Sequence, residues 1–357
     1  MPILKVAVLY GGKSTEHEVS VHSAQTVCRV LSEKKDKYEV YPIFISKQGR
    51  WFLQKACGPQ HPTDKPITPV LKDEANLVAL DGSFSIKADV VFPVLHGTNC
   101  EDGTMQGFLE TLDVPYVGCG VLASAMGMDK EISKLIAREA GVPILPWKIV
   151  SKEAGYDLSA LQAWAEEQGL PVFVKPVRLG SSVGVRKVKT VGELQSALDF
   201  ALQFDTDVLV EKGVDHAREI FCAIYGEGVH IKSSACGELS TVAGEFFDYN
   251  AKYIVVGGCE TKVPADIPAD LAQKMRQDSE AVFRALRGSG LARVDFLMDK
   301  NGAYYFSEIN TMPGMSETSL FPQLFSACGE DYGQILDGLI ALALRVHARK
   351  AALSLNR

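Results

Sequence analysis

The stretch ARVDFLMDKNGAYYFSEIN, residues 292–310, has the pattern of a β-hairpin with Asn301-Gly302 at its turn. A two-residue turn there places Asp295 opposite Glu308, and a four-residue turn shifts the pairing by two. Because the side-chain period of a strand is two, both turns leave the same polar side chains on one face: Arg293, Asp295, Glu308 and Asn310. Three apolar side chains project to the other face and predict a core: Val294, Phe296 and Ile309.

The polar face of this hairpin suits a hard divalent cation. Asp295 and Glu308 offer carboxylate oxygens and Asn310 offers an amide oxygen. Magnesium prefers oxygen ligands and keeps some of its positions for substrate phosphates. The alternative is an ordinary solvated charged face. The loop that follows, NTMPGMSETS, is rich in small residues with backbone donors and favours the metal interpretation.

A second informative stretch is VFVKPVRLGSSVGV, residues 172–185, in which a short apolar strand ends in Lys175. The strand opens onto the flexible run 180–184, which is composed of glycine, serine and one valine. An ordinary surface turn explains such a run, because glycine supplies positive φ angles. A lid over phosphates also explains it, because bare N–H groups wrap an anion that a nearby lysine neutralises. The run alone leaves both interpretations open.

Length and composition are those of a globular protein with two or three domains. The chain has 357 residues, 46% of them hydrophobic and 23% charged, and a net charge of −7. This charge argues against a general nucleic-acid binder, which needs a basic face. No apolar run is long enough to predict a membrane span. The 8 cysteines form no CxxC pair, so we expect reduced thiols in a cytoplasmic protein.

Strands alternate with helices in the first third of the chain, which predicts an open, mostly parallel α/β sheet. Four apolar runs predict its strands: 3–10, 38–45, 88–95 and 114–118. Residues 58–70 are interpreted as a Pro-rich connection. Ligands bind beyond the carboxyl ends of strands in such sheets, so the loops with Glu16 and His96 are placed for a site.

A helix is predicted from the cap Asp129 to Ala140. Its apolar face is formed by three side chains: Ile132, Leu135 and Ile136. We expect Lys130 and Lys134 on the polar side of its first turns.

The second half of the chain reads as α+β. Its pattern, with the region just before it, predicts seven further elements before the last helix: a helix at 159–168, strands 172–175 and 184–189, a helix at 191–203, and strands at 207–212, 218–225 and 229–234. The irregular stretch 237–265 contains FDYNAKY and is long enough to predict a lid or binding loop. An amphipathic helix near 331–349 closes the chain.

Eight segments in this order resemble the ATP-grasp fold and, within it, the D-alanine–D-alanine ligases: LYGGKSTEHEVS, VLHGTNCEDGTMQG, GVLASAMGMDK, VKPVRLGSSVGV, LVEK, FDYNAKY, ARVDF and SEINTMPGMSETS. The resemblance runs nearly end to end. It implies an N-terminal α/β domain at 1–125, a central ATP-grasp subdomain with the lid at 126–215, and a C-terminal subdomain with the metal site at 216–357.

The resemblance also implies a reaction in two steps. The carboxylate of one D-alanine attacks the γ-phosphate of ATP, and the amine of a second D-alanine then attacks the acyl phosphate. Two Mg²⁺ or Mn²⁺ ions are implied, held by three residues: Asp295, Glu308 and Asn310. Phosphate contacts are implied for Lys130, Lys175 and the lid residues Gly180, Ser181, Ser182 and Val183. Adenine is assigned to Glu211, Lys212 and Val214, ribose to Glu219, and a further nucleotide contact to Lys252.

The remaining site residues follow from the same likeness. Arg293 and the N–H of Gly314 match the family's oxyanion stabilisers. A hydrogen-bonded set that orients the first D-alanine is matched by Glu16, Ser181 and Tyr253. Contacts with the amino-acid substrates are matched by His96, Lys252, Ser319 and Leu320, with Glu101 beside the first of them. Cys100 stands where many relatives carry glycine, which predicts a stiffer loop there.

Rival functions are a D-alanine–D-lactate ligase, a D-alanine–D-serine ligase and a nucleotide-binding sensor without catalysis. Tyr253 favours the dipeptide product, because relatives that make the lactate ester tend to lack a tyrosine in that loop. The intact hairpin at 292–310 speaks against the sensor. A dinucleotide dehydrogenase is disfavoured, because no GxGxxG follows the first strand. The family habit predicts a homodimer without nucleic-acid or membrane partners.

Overall fold

Seven strands form the first sheet, in the order β6-β5-β4-β3-β2-β1-β7. The computed structural model describes residues 2–72, 74–241 and 259–353. The strands of this sheet are β1 Leu4–Gly11, β2 Tyr38–Ile45, β3 Trp51–Leu53, β4 Lys65–Lys72, β5 Ala75–Ala79, β6 Ser85–Ile86 and β7 Val90–Leu95. Strands β2, β1 and β7 pair in parallel, and β3 to β6 extend the sheet through antiparallel pairs.

The antiparallel extension corrects the expectation of a mostly parallel sheet. Residues 58–70, interpreted as a connection, contain the first part of β4. Prolines lower strand propensity, but Ile67 is only 4% exposed, and its burial on the pleated surface outweighs that preference. The predicted strand at 114–118 is reduced to a single parallel bridge between Tyr116 and Val91.

Three helices accompany this sheet: α1 His17–Glu33, α2 Thr104–Thr111 and α3 Val121–Met128. Helix α1 connects the parallel strands β1 and β2. Gly11 at the end of β1 pairs with Leu95 at the end of β7. The loops that follow these two strands therefore leave the sheet at the same edge.

The central part of the chain forms a four-stranded antiparallel sheet in the order β10-β9-β11-β8. Its strands are β8 Trp147–Ser151, β9 Val172–Pro176, β10 Arg186–Val188 and β11 Asp207–Lys212. The helices of this region are α4 Lys130–Glu139, α5 Leu158–Gln168 and α6 Leu194–Ala201, the last preceded by a 3₁₀ turn at Val191–Glu193. Buried side chains of α5 and α6, such as Ala165 and Leu198, pack against Val174 and Val210 of the sheet.

The last part of the chain forms a five-stranded antiparallel sheet in the order β14-β13-β12-β15-β16. Its strands are β12 Arg218–Glu227, β13 Lys232–Thr241, β14 Cys259–Lys262, β15 Ser289–Met298 and β16 Tyr304–Asn310. Three helices belong to this part: α7 Ala269–Ala285, α8 Leu320–Ser326 and α9 Tyr332–Ala351. None of the described helices combines the length and apolarity needed to cross a bilayer.

Helix α4 begins and ends close to its predicted bounds but buries a different face. Asp129 caps it as expected, accepting a hydrogen bond from the Ile132 N–H at 2.9 Å. Ile132 is nevertheless 38% exposed, whereas Lys134 is 1% exposed. The placement of Ile132 in the core and of Lys134 in water is therefore wrong. Ala137 packs into the core of the C-terminal sheet, and this contact turns Lys134 inward.

Candidate active site

The loops after β1 and β7 bring acidic side chains to one edge of the N-terminal sheet. Glu16 directly precedes α1, and Glu101 accepts a hydrogen bond from the Gly97 N–H at 3.2 Å. Glu101 is only 8% exposed. Burial raises the pKa of Glu101 to about 8, and the nearby charges of Glu16 and Glu308 push it in the same direction. Glu101 therefore carries a proton at pH 7.

His96 is buried and anchors the loop that follows β16. Its Nδ1 lies 2.9 Å from the carbonyl oxygen of Met312, which can only accept, so Nδ1 is the protonated nitrogen. Its Nε2 lies 3.3 Å from Ser23 Oγ. Burial lowers the pKa of His96, so the ring is neutral. This geometry ties the two loops together, and a direct contact of His96 with substrate stays a prediction.

The hairpin β15–β16 has the predicted pairing at the site and a different turn. Arg293 pairs with Asn310 and Asp295 with Glu308, as expected. Nearer the tip, Phe296 pairs with Phe306, which is a shift of one residue. The tip is closed by a hydrogen bond from the Asp299 N–H to the Ala303 carbonyl at 2.8 Å, leaving three residues in the loop.

A β-bulge at Ser307 compensates for this odd-numbered loop. Continued without a bulge, the pairing at the tip would place Asp295 opposite Ser307 and turn Glu308 toward the core. The register shift between Asp295 and Phe296 inserts Ser307 as an extra residue and returns Glu308 to the polar face. The shared face that the sequence predicts therefore depends on two compensating irregularities.

Asp295 is the centre of the hydrogen bonds on this face. The Arg293 guanidinium donates to both of its carboxylate oxygens, at 2.7 and 2.6 Å. The Asn310 amide nitrogen lies 3.1 Å from Asp295 Oδ2. The guanidinium also lies over the Phe221 ring, 5.2 Å from its centroid. These contacts fix the plane of the guanidinium.

The donor set of the hairpin fits a magnesium or manganese ion. Two carboxylates and an amide oxygen come from adjacent strands, which is the oxygen chemistry that hard cations prefer. Positive charges already lie against both carboxylates, Arg293 at Asp295 and Lys130 at Glu308. Within residues 2–72, 74–241 and 259–353, no three His, Cys, Asp or Glu side chains gather into a site of their own. A cation site on the hairpin therefore needs the amide oxygen of Asn310 in addition to the two carboxylates.

The glycine-serine run forms the connection between β9 and β10. Ser181 and Ser182 have φ angles of +52° and +57°, a left-handed conformation that is unusual for residues other than glycine. The Ser181 hydroxyl donates a hydrogen bond to the Glu16 carboxylate. This contact joins the lid to the N-terminal domain across 165 residues of sequence. Such backbone strain is typical of functional loops.

Lys130, the first residue of α4, lies between the lid and the hairpin. Its Nζ is 2.6 Å from the Leu179 carbonyl oxygen and 3.2 Å from Glu308 Oε2. A cavity of about 20 Å³ remains here, lined by Glu101, Lys130, Gly180, Glu308 and Asn310 among others. This volume is too small for a triphosphate. A cavity of about 630 Å³ between α1, α8 and α9 shares none of these residues.

The nucleotide residues expected on β11 and β12 lie on strands of two different sheets, because β11 belongs to the four-stranded sheet and β12 to the five-stranded one. Lys175 Nζ is 2.6 Å from Glu211 Oε2, and the Glu211 carboxylate is 1% exposed. The Lys212 N–H donates to the Pro146 carbonyl at 3.0 Å, and Val214 follows the end of β11. Glu219 is the second residue of β12. Their contacts with adenine and ribose stay predictions.

The loop from β16 to α8 carries the remaining described substrate residues. Ser319 is the N-cap residue of α8, and its Oγ lies 3.1 Å from the Ser316 N–H, while Leu320 begins the helix. A Cβ added to Gly314 would lie 2.8 Å from Ser319 Oγ, so glycine permits this close approach. Lys252 and Tyr253 lie outside the described residues. Their assigned roles stay predictions.

The structure brings together residues from four distant parts of the chain. The charges of Glu16, Arg293 and Glu308 all act on Glu101, and the lid contacts Glu16. The missed member is Lys134, whose Nζ forms an ion pair with Glu211. A lysine one helical turn after Lys130 was the available signal, but its partner lies in a strand far along the sequence.

Two antiparallel sheets with a glycine-serine lid, inward lysines and a carboxylate hairpin define the class of ATP-grasp ligases. Comparison with known proteins narrows this class. The family model "D-ala D-ala ligase N-terminus" matches residues 5–119, and "D-ala D-ala ligase C-terminus" matches residues 136–341. The chain belongs to the D-alanine–D-alanine ligase family.

Individual relatives agree with the family assignment over the full length. D-alanine–D-alanine ligase A of Bradyrhizobium diazoefficiens is 42% identical, with 98% of this chain and 97% of the relative covered. The D-alanine–D-alanine ligase of Thermoanaerobacter sp. is 43% identical, covering 97% and 98%. The solved D-alanine–D-alanine ligase of Coxiella burnetii matches with a TM-score of 0.87 and 32% identity, covering 98% and 97%. VanG D-Ala:D-Ser ligase of Enterococcus faecalis matches with 0.85 and 32%, covering 96% and 100%.

Proposed function

We propose that the protein joins two D-alanine molecules into D-alanyl-D-alanine at the expense of ATP. The observation that carries the proposal is that Glu16, bonded to Ser181 of the lid, and Arg293 both lie close enough to Glu101 for their charges to act on it. Glu101 in turn lines a small cavity bordered by Glu308 and Asn310 of the carboxylate hairpin. This arrangement can hold an amino acid between an acidic group, a mobile lid and a fixed cation. The relatives at 42–43% identity named D-alanine–D-alanine ligases support this product.

In the first step a carboxylate oxygen of the first D-alanine attacks the γ-phosphorus of ATP. The bond from that phosphorus to the β,γ-bridging oxygen breaks, and ADP leaves. Lys130 and Lys175, which project from α4 and β9, neutralise phosphate charge. The N–H groups of the lid residues Gly180–Gly184 enclose the transferred group and exclude water. Glu16 orients the ammonium group of the first substrate.

In the second step the amine of the second D-alanine attacks the acyl carbon. Negative charge develops on the carbonyl oxygen, and inorganic phosphate then leaves. Arg293 and the Gly314 N–H stabilise that oxygen, and preorganised donors of this kind typically contribute ~3–4 kcal/mol. Arg293 suits the role because Asp295 and the Phe221 ring already fix its orientation. Ser319, Leu320 and Lys252 hold the second substrate.

Asp295, Glu308 and Asn310 would hold the divalent cations. A Mg²⁺ or Mn²⁺ ion there supplies charge neutralisation for the β- and γ-phosphates of ATP. The family resemblance implies two such ions for each site. The hairpin contributes a set of oxygen ligands, and the two hydrogen bonds from Arg293 orient the Asp295 carboxylate.

A D-alanine–D-serine ligase is the second candidate, because VanG D-Ala:D-Ser ligase matches this chain with a TM-score of 0.85. The D-alanine–D-alanine ligases named above are 42–43% identical, against 32% for that structure, which favours D-alanine as the second substrate. Product analysis with D-alanine alone and with D-serine or D-lactate added separates the candidates.

The test is a phosphate-release assay with ATP, magnesium and D-alanine, with L-alanine as the control. We expect release with D-alanine and none above background with L-alanine. Asp295→Ala should abolish the release while the circular dichroism spectrum stays unchanged. Nucleotide binding without phosphate release by the wild-type protein would overturn the proposal and favour a sensor.

The finer assignments rest on the family likeness. We infer domains at 1–125, 126–215 and 216–357, although Ala123 of α3 and Ala137 of α4 pack into the core of the C-terminal sheet. We also infer a homodimer that acts in the cytoplasm and supplies peptidoglycan precursors. Sedimentation velocity of the purified protein tests whether it is a homodimer.

A further inference from the structure

Lys134 is a buried lysine that none of the roles above uses. Its side chain is 1% exposed, and its Nζ forms an ion pair with Glu211 Oε1. The same Nζ donates to the carbonyl oxygen of Phe306 in β16 at 3.3 Å. Burying an ammonium group is costly unless it is paired and hydrogen-bonded, so this contact set implies a role beyond filling space.

Glu211 is shared between two lysines. Its Oε1 faces Lys134, and its Oε2 lies 2.6 Å from Lys175 Nζ. Burial acts to raise the pKa of Glu211, but the charges of Lys134 and Lys175 outweigh it and hold the pKa below its usual value. The carboxylate is therefore ionised, and the three charged side chains together carry one net positive charge.

The exposed end of this cluster is Lys175. Its side chain is 15% exposed, whereas those of Lys134 and Glu211 are each 1% exposed. Lys175 projects from β9 and Glu211 from the adjacent strand β11. Any change in how far the Glu211 charge is neutralised therefore acts directly on the ammonium group of Lys175. That group is the one that can meet an incoming anion.

We propose that Lys134 is a positioning residue for nucleotide binding, which neutralises Glu211 so that Lys175 stays available to the phosphates of ATP. Without Lys134, the whole charge of the Glu211 carboxylate falls on Lys175 and cancels it. This inference rests on the proposed function, because it assumes that a triphosphate is the anion that meets Lys175.

Helix α4 places both Lys130 and Lys134 in contact with strand β16 of the hairpin. Lys130 and Lys134 are one turn apart on α4, so they share a face. Lys130 contacts Glu308, and Lys134 contacts the Phe306 carbonyl two residues earlier in β16. One face of α4 thus carries both Lys130, a direct phosphate ligand, and Lys134, which supports Lys175 as a second phosphate ligand.

The test compares variants that change the net charge of the cluster. Lys134→Met lowers it from one positive charge to zero. Glu211→Gln serves as a second background, in which Lys134 has no carboxylate to neutralise and any contact of Glu211 with adenine is lost from both variants of the pair. Affinity for Mg·ATP is measured directly by calorimetry, together with the KM values for ATP and D-alanine. Arg138→Met is the matched control, because Arg138 is an exposed cation one turn further along α4, beside the Trp147 ring.

We expect Lys134→Met to raise the Kd for Mg·ATP by about tenfold or more, with the KM for D-alanine unchanged. In the Glu211→Gln background Lys134→Met should raise the Kd far less than in the wild type, and Arg138→Met should bind like the wild type. In a Lys175→Met background, Lys134→Met should have no further effect, because Lys134 acts through Lys175.

Wild-type Mg·ATP affinity in Lys134→Met, or an additive effect in the Lys175→Met background, would overturn the inference. If Lys134→Met does not fold, the comparison of the Lys134→Met, Glu211→Gln double variant with Glu211→Gln alone decides, because neither of these variants leaves an unpaired buried carboxylate. Binding about tenfold weaker by the double variant than by Glu211→Gln alone would also overturn the inference. Failure of the wild type to bind Mg·ATP would instead contradict the proposed function.

Discussion

The raised pKa of Glu101 makes a quantitative prediction about the pH dependence of stability. Its pKa is about 8 in the folded protein, against 4.5 for an ordinary glutamate, because the group is buried and faces the charge of Glu16. The folded state therefore binds a proton that the unfolded chain has released. The free energy of unfolding must fall as the pH rises through this window.

The magnitude follows from these two pKa values. At about 1.4 kcal/mol for each pH unit between them, the complete effect is about 5 kcal/mol. About 4 kcal/mol of it develops between pH 4.5 and pH 8. Glu101→Gln keeps the shape and the acceptor for the Gly97 N–H but has no proton to lose. The difference in free energy of unfolding between Glu101→Gln and the wild type should therefore increase in favour of the variant by about 4 kcal/mol from pH 4.5 to pH 8.

Urea unfolding at pH 5, 6.5 and 8 measures the difference. Trp51 in β3 reports on the N-terminal domain through its fluorescence, because its ring packs against Phe108 of α2. Glu139→Gln at the exposed end of α4 is the control and should leave the pH dependence unchanged. A difference between Glu101→Gln and the wild type that stays constant from pH 5 to pH 8 would refute the reasoning.

Three further predictions concern the lid and the hairpin. Glu308→Gln keeps the volume of a cation ligand but removes its charge, so phosphate release should fall by about 100-fold or more at an unchanged melting temperature; a loss under tenfold would remove Glu308 from the site. Ser181→Ala removes the hydrogen bond to the Glu16 carboxylate, a charge-assisted bond of ~1.5–3 kcal/mol, so the KM for D-alanine should rise about tenfold or more; an unchanged KM contradicts the role of the lid contact. Gly184→Ala introduces a Cβ 2.6 Å from a proline ring atom at a φ of +77° and should lower kcat, whereas Gly302→Ala at the open hairpin tip should not, and equal kcat values would show that the lid tolerates the change.

The shared face of the hairpin could be predicted because it depends on the side-chain period of two. The route to that face could not. The sequence suggested an even-numbered turn, and the structure has a three-residue loop and a bulge at Ser307 that cancel in parity. This compensation leaves the pairing of Asp295 with Glu308 intact. It could not be predicted from the alternation of polar and apolar residues, because that alternation is the same with both irregularities as with neither.

The buried lysine shows where sequence patterns fail. A helical pattern places cations on the solvent side of a helix, and this rule predicts an exposed Lys134. The prediction fails because the rule takes no account of the elements that pack against the helix. Its partner Glu211 is 77 residues away and becomes adjacent only when β11 packs near α4. The antiparallel strands β3 to β6 were missed for a similar reason, since long-range pairing decided them against the prolines of β4.

The bulge at Ser307 has an evolutionary consequence for the hairpin. A deletion or insertion of one residue at the tip would reverse which side of β16 holds Glu308, unless the bulge were lost or gained in the same lineage. Drift in tip length should therefore proceed in pairs of residues or together with a change at Ser307. Under that restriction the tip can lengthen or shorten while Glu308 stays on the polar face of the hairpin.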